Sequence, residues 1–292
     1  MNQKNGLFST IFLAPAVLLF LLFFLVPVLF SFYYSTTEWD AVQKPAFIGM
    51  DNFTALLHDK DYWKSMRNTL WLVVLTLTIK IPVALILAYL LFRIKRGFKF
   101  FRTIFFLPVI IAPMAIGLMF LLIYNSEGGM LNQVLELFGL SFLKQNWLSD
   151  PDIVMFSVAA PQVWQNIGLF FIILLAALQA IPNETFESAE IDGASSVRTF
   201  FNIAIPMLWD VLQVCIILGV TGALKMFDHA WAITQGGPGV ASAFASVYLF
   251  MKAFGSYEFG YASAISVTIA GYALVFTILF KKFFSSKDNL EY

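Results

Sequence analysis

Hydrophobic positions in this chain gather into six long runs, at about Ile11 to Tyr34, Thr69 to Phe92, Ile104 to Tyr124, Ile153 to Gln179, Ile205 to Phe227 and Tyr261 to Phe284. Each is close to the roughly 20 mainly apolar residues that a helix needs to cross a bilayer, so the pattern predicts an all-α integral membrane protein with about six transmembrane helices. Pro15, Pro27, Pro82, Pro108, Pro113 and Pro161 fall inside the runs. They would break soluble helices, whereas neighbouring helices and local backbone adjustment accommodate them in a bundle. The first run is longer than a signal-peptide core and no small-residue cleavage pattern follows it, so it reads as a retained span. No polar interval exceeds roughly 35 residues, which leaves residues 1–292 as a single transmembrane domain.

The polar intervals set the orientation. Arg93, Lys95, Arg96, Lys99 and Arg102 form a connector with five bases and no acid, which the positive-inside rule assigns to the cytoplasm. Counting spans from it puts both termini there, with Lys4 at one end and Lys281, Lys282 and Lys287 at the other, and also the Ile181 to Ala204 connector. Connectors 35–68, 125–152 and 228–260 then face outward. Within the first of these, Phe53, Leu56, Leu57, Trp63 and Met66 stand among charged residues, a pattern that suits either an interfacial helix or a solvated connector over Asp51 to Met66.

Composition agrees with this picture. The chain is 60% hydrophobic and 12% charged, against roughly 25% charged in an ordinary soluble domain. The formal net charge of +0 hides an uneven distribution, so the sum says nothing about partners and the pattern does; no nucleic-acid partner is expected. Cys215, inside an apolar run, has no second cysteine to pair with and reads as a small core or lipid-facing residue.

The chain carries no G-x-x-x-x-G-K-[ST] loop for a nucleotide, no H-E-x-x-H pair and no G-x-S-x-G elbow, and its two histidines, His58 and His229, are far apart. An enzyme is therefore not expected, no metal or cofactor is expected on this chain, and ATP hydrolysis would have to come from elsewhere. Ionisable residues within the runs are sparse: Lys80 in the second, and Asp210 and Lys225 near the ends of the fifth. Direct coupling to an ion gradient usually needs more than this, so a partner supplies the energy or the protein is a passive channel.

One connector breaks the positive-inside pattern. From Glu184 to Pro206 it has Glu184, Glu187, Glu190 and Asp192 with Arg198 as its only base. The three glutamates at a three-residue interval predict one acidic stripe on a short helix, ended by Gly193, facing a basic partner in the cytoplasm. Within it stand Glu187-Ser188-Ala189, then Gly193, then Ile203-Ala204-Ile205-Pro206. This resembles the EAA loop of permease subunits in ATP-binding-cassette importers, with Ser188 in place of the first Ala and Ile205 in place of Leu. Small Ser188 and Ala189 suit a helix that enters a cleft, Gly193 lets the chain reverse, and Pro206 can begin the next span. The resemblance implies a type I importer permease fold in a bacterial-type inner or cytoplasmic membrane. It also implies that Glu184, Glu187, Ser188, Ala189, Glu190, Asp192 and Gly193 couple the chain to an ATPase subunit that binds ATP and Mg.

Further stretches are similar to carbohydrate-importer permeases of the maltose-transporter type: Phe47 to Phe53, Asn68-Thr69, Trp147 to Pro151, Thr234 to Pro238 and Phe259 to Ala264. The large inserted outer domain and additional N-terminal spans of the maltose subunit itself are missing. The resemblance implies a carbohydrate substrate, a second similar permease in a heterodimer, two ATP-binding subunits and an extracytoplasmic solute-binding protein. Gly236-Gly237-Pro238 is either a contact for that protein or a tight turn.

Two polar clusters are candidates for the substrate path. Gln162, Trp164, Gln165 and Asn166 interrupt the fourth run, where they either line a cavity or tie helices together. Lys225, Phe227 and Asp228, followed by His229 and Trp231, end the fifth run and would line the path or anchor the helix at the interface. A glycerol-phosphate, polyol or acidic oligosaccharide importer is the alternative within the class, because Lys225 could meet an anion. A secondary transporter or channel is the alternative outside it.

Overall fold

A computed structural model of the chain describes residues 3–94 and 96–284; Lys95 of the basic connector and Lys287 of the tail lie outside the described residues. Among the described residues, five helices are long and apolar enough to cross a membrane: Phe12–Ser35, Lys60–Arg93, Val154–Ala180, Trp209–Thr234 and Phe259–Phe284. They correspond to the first, second, fourth, fifth and sixth expected spans. The third, expected as one run from Ile104 to Tyr124, is two helices, Phe98–Ile110 and Pro113–Ile123, bent by 91°. Pro113 explains the correction. Its ring disfavours helical geometry in the preceding residue, and Ala112 and Ile111 carry ψ values of 131° and 136°. The fifth span also has a break, between Trp209–Leu224 and Asp228–Thr234.

Pro27 and Pro82 lie within continuous spans. Wide π turns at Leu21–Leu25, Thr76–Lys80 and Phe200–Ala204 each end two residues before a proline, Pro27, Pro82 and Pro206. The residue just before each proline donates its N–H to the carbonyl five positions back: Val26 to Leu21, Ile81 to Thr76 and Ile205 to Phe200. The register has thus already shifted when the proline, which has no N–H to give, arrives.

The chain forms two compact units. One joins Met1–Asp59 to Leu249–Val275, the other Lys60–Tyr248 to Phe276–Tyr292. In the first unit, the most apolar stretch of the first span is exposed throughout. After it, strands Thr37–Glu38 and Ala46–Phe47 pair antiparallel and lead into helix Asp51–His58. Buried Asn52 ties this helix down, its Nδ2 donating to the Ser35 and Thr37 carbonyls at 2.9 Å each. Gly260 lies so close to the Thr37 carbonyl that a Cβ would fall 2.0 Å from the oxygen. The segment Asp51 to Met66 is accordingly neither a single interfacial helix nor a solvated connector. Its first half is this short anchored helix, and its second half, with Tyr62 and Met66 buried, begins the second span.

The second unit holds the core. Ala84, Leu85 and Ala88 of the second span meet Phe171, Leu174 and Leu178 of the fourth and Leu212 and Cys215 of the fifth, which places Cys215 in the packed interior. Small residues set the helix crossings, as expected where helices associate by close packing. A Cβ on Gly168 would stand 2.3 Å from the Phe105 carbonyl oxygen, one on Gly219 2.8 Å from Thr76 Cγ2, and one on Gly117 2.5 Å from Ala232 Cβ.

Candidate functional site

The Glu184 to Pro206 connector begins with helix Asn183–Ile191, whose first turn carries Glu184 at the end that favours negative charge. Gly193 closes it in the left-handed region, φ 75°. The Gly193 N–H donates to the Glu190 carbonyl at 3.1 Å and the Ala194 N–H to the Ala189 carbonyl at 2.9 Å, the paired closure of a Schellman motif. Ser195 then starts the next helical segment, its Oγ accepting from the Arg198 N–H at 3.3 Å.

The helix rests on the end of the second span. Phe186 and Ala189 are buried, and the Phe186 and Phe92 rings lie 5.0 Å apart. Arg93 forms an ion pair with Glu190 at 2.5 Å. Beyond the turn, Tyr89 Oη donates to the Ser196 carbonyl at 3.0 Å. Tyr89, Phe92 and Arg93 are three and four residues apart and share one helical face. Glu184, Glu187, Ser188, Asp192 and Gly193 stay exposed. The expectation of three glutamates on one partner-facing stripe is thereby corrected: Glu190 is engaged by the chain's own Arg93. Successive steps of three residues fall short of a full turn of 3.6 and rotate each glutamate away from the last. The Glu184 and Glu187 carboxylates make no ion pair or hydrogen bond among the described residues.

In the fourth span, neighbours in sequence serve different neighbours in space. Gln165 is buried; its Nε2 donates to the Pro108 and Ile111 carbonyls at 3.1 and 2.8 Å, and its Oε1 lies 2.7 Å from His229 Nε2. It therefore binds the fourth span to the break in the third and to the fifth, the interhelical role and not the cavity-lining one. Trp164, 46% exposed, lies beside Phe120 with ring centroids 6.0 Å apart. Gln162, Asn166 and Phe170, four residues apart, share one stripe. Asn166 Nδ2 donates to the Gln162 carbonyl at 2.9 Å, while Gln162 Oε1 is buried without a partner among the described residues. Further along the stripe, Lys80 of the second span is buried with its Nζ 5.9 Å from the Phe170 ring centre.

At the break in the fifth span Lys225 and Asp228 are exposed, and Phe227 is half-buried and stacked on Trp231 at 5.7 Å. The Gly236-Gly237-Pro238 loop is a tight, cross-bonded turn. Ser242 Oγ donates to the Gly237 carbonyl at 2.7 Å, and Asn68 Nδ2 donates to the Ala241 and Ala243 carbonyls at 2.9 Å each. Thr69 Oγ1 accepts from the Ala245 N–H at 2.9 Å, so Asn68-Thr69 hold this loop from the second span. Gly236 is buried and Pro238 exposed.

A recess of about 670 Å³ in the first unit is lined in part by Glu38, Trp39, Asp40, Asp51 and Tyr257. Asp40 accepts from the Gln43 and Val42 N–H groups, which hold its carboxyl below the usual carboxylate range. Trp39 offers little to a sugar there: it stacks on Tyr34 at 4.0 Å, leans on Phe259 at 5.8 Å, and gives its indole N–H to the Gln43 carbonyl.

The residues missed by sequence reasoning are those that place the others. Arg93 counted only as a topogenic charge, Tyr89 and Phe92 only as part of the second apolar run, Phe186 was not singled out, and His229 was one member of a cluster. The signal was present in the three- and four-residue spacing of Tyr89, Phe92 and Arg93 at the end of a span.

Residues 80–285 match the family model of the binding-protein-dependent transport system inner membrane component. The chain is 35% identical over 289 residues to the probable ABC transporter permease protein YurN of Bacillus subtilis, covering 98% of this chain and 99% of the relative. It is 30% identical over 283 residues to the trehalose/maltose transport system permease protein MalF of Thermococcus litoralis, covering 97% and 95%. Its fold is similar to that of a chain from a bacterial ABC transporter involved in import of the acidic polysaccharide alginate, with a TM-score of 0.84, 22% identity and 98% of each chain covered. The chain belongs to the ABC importer permeases, as a multi-pass inner membrane component of a binding-protein-dependent transport system.

Proposed function

We propose that this chain forms half of the translocation path of an ATP-driven carbohydrate importer, paired with a second, similar permease. Two cytoplasmic ATPase subunits dock on the paired coupling helices and hold the ATP and Mg. An extracytoplasmic binding protein delivers the sugar, with the Gly236-Gly237-Pro238 loop among its contacts. Both termini and the 184–206 loop lie in the cytoplasm. Arg93, Arg96, Lys99 and Arg102 support that orientation. The trehalose/maltose relative supports a sugar as cargo. So do the unpartnered Gln162 oxygen and the exposed Trp164, because a sugar offers hydroxyl donors and apolar ring faces.

The observation that carries the reading is a short helix fixed to the bundle on one side and presenting Glu184, Glu187 and Ser188 on the other. Glu187 meets a basic group of the ATPase, and closure of the ATPase pair moves the helix and with it the bundle, giving alternating access. An acidic oligosaccharide is the second reading, favoured by Lys225, exposed at the break of the fifth span. Glu187→Lys in the reconstituted importer tests the coupling: the protein should still insert while sugar uptake per ATP collapses. Normal uptake would refute the assignment.

A further inference from the structure

We infer that Arg93 is a positioning residue for coupling, and that the coupling helix and the second span move as one body. This rests on the reading that helix Asn183–Ile191 docks the ATPase subunits. By sequence, the helix belongs to the connector between the fourth and fifth spans. By contact it also belongs to the second, through three interactions of different chemistry drawn from one helical face. Phe92 meets Phe186 through their rings, Arg93 meets Glu190 through charge, and Tyr89 holds the Ser196 carbonyl past the turn. The three points straddle Gly193, so they fix the helix and its exit together.

The arrangement divides the labour among the carboxylates. Glu190 pairs with the chain's own cation, and Glu184 and Glu187 are left for the partner. The ion pair is half-exposed, with Arg93 at 33% and Glu190 at 54%, so its role is to set direction more than to stabilise the bundle. The body it completes is long. The second span runs from Lys60 to Arg93 and includes the π turn Thr76–Lys80, whose Thr76 packs on Gly219 and whose Lys80 lies over Phe170. A push on the coupling helix therefore reaches the middle of the bundle, beside the stripe that carries Asn166 and Gln162.

The test uses the complete importer with its binding protein, reconstituted in lipid vesicles, and reads maltose or trehalose transported per ATP hydrolysed. Arg93→Glu and Glu190→Arg should each lower the ratio about five-fold while the complex stays assembled, and the double exchange should restore it to within about two-fold. Failure of the exchange to rescue an assembled complex, or an unchanged ratio in the single variants, would overturn the inference. A second measurement places cysteines at both positions in a Cys215→Ser background and joins them with a short bismaleimide. Cross-linking should return transport towards the wild-type ratio; abolished transport would show that the helix must move independently of the second span. The outcome for Glu187→Lys separates the two failures: uncoupling there with normal Arg93→Glu leaves the ATPase docking intact and removes only the clamp.

Discussion

Gly193 sits at φ 75°, where a β-carbon is disfavoured by roughly 1–2 kcal/mol, and a proline, fixed near φ −65°, cannot sit at all. Gly193→Pro should therefore unmake the Schellman closure, leaving the chain inserted but ATP-driven uptake near background. Uptake at the wild-type rate in vesicles would contradict this. In the proposed path, Asn166→Leu and Trp164→Ala should reduce sugar-dependent uptake without releasing the ATPase subunits, read by uptake assay and co-purification; unchanged sugar selectivity would remove these residues from the path. At this scale, legibility followed sequence distance. The Glu187 to Gly193 turn was readable because helix, cap and glycine are adjacent and obey local rules. The Arg93–Glu190 pair and the Asn68 bond to the Ala241 carbonyl, 173 residues away, were not, because only tertiary packing brings them together.

Among the elements, the third span departs furthest from expectation. Its apolar run is continuous across Ile111 and Ala112, so hydropathy cannot register the 91° bend that Pro113 produces. The bend leaves the Pro108 and Ile111 carbonyls near the turn, and Gln165 answers both while holding His229. Gln165→Leu should leave the Ile111 carbonyl and His229 without this partner, the Pro108 carbonyl keeping the Ile111 N–H, and destabilise the chain by roughly 1–3 kcal/mol. The measurement is the thermal unfolding midpoint of the detergent-solubilised protein, which should fall; an unchanged midpoint would mean that Gln165 is not the brace described. The π turns teach a related lesson. Prolines 27, 82 and 206 were visible, but the shifted register that accommodates Pro27 and Pro82 within continuous spans is a backbone solution that composition does not encode.

At the scale of the whole molecule, two features were legible early: six apolar runs predict the membrane bundle, and the sparse charge inside them predicts either an energy source outside the chain or a passive channel. The bundle and the family are borne out. An ATP-driven partner as the energy source is supported at each level: Glu187 free to meet a partner, a coupling helix held to the second span, and a bundle with few groups for an ion gradient to act on. It is tested most directly by loading vesicles that contain the assembled importer with either ATP or an imposed proton gradient and following entry of whichever sugar, from a panel of candidate oligosaccharides, the wild-type importer takes up. Uptake should need ATP and persist when ionophores collapse every gradient. Uptake that follows the proton gradient with ATP depleted would contradict it.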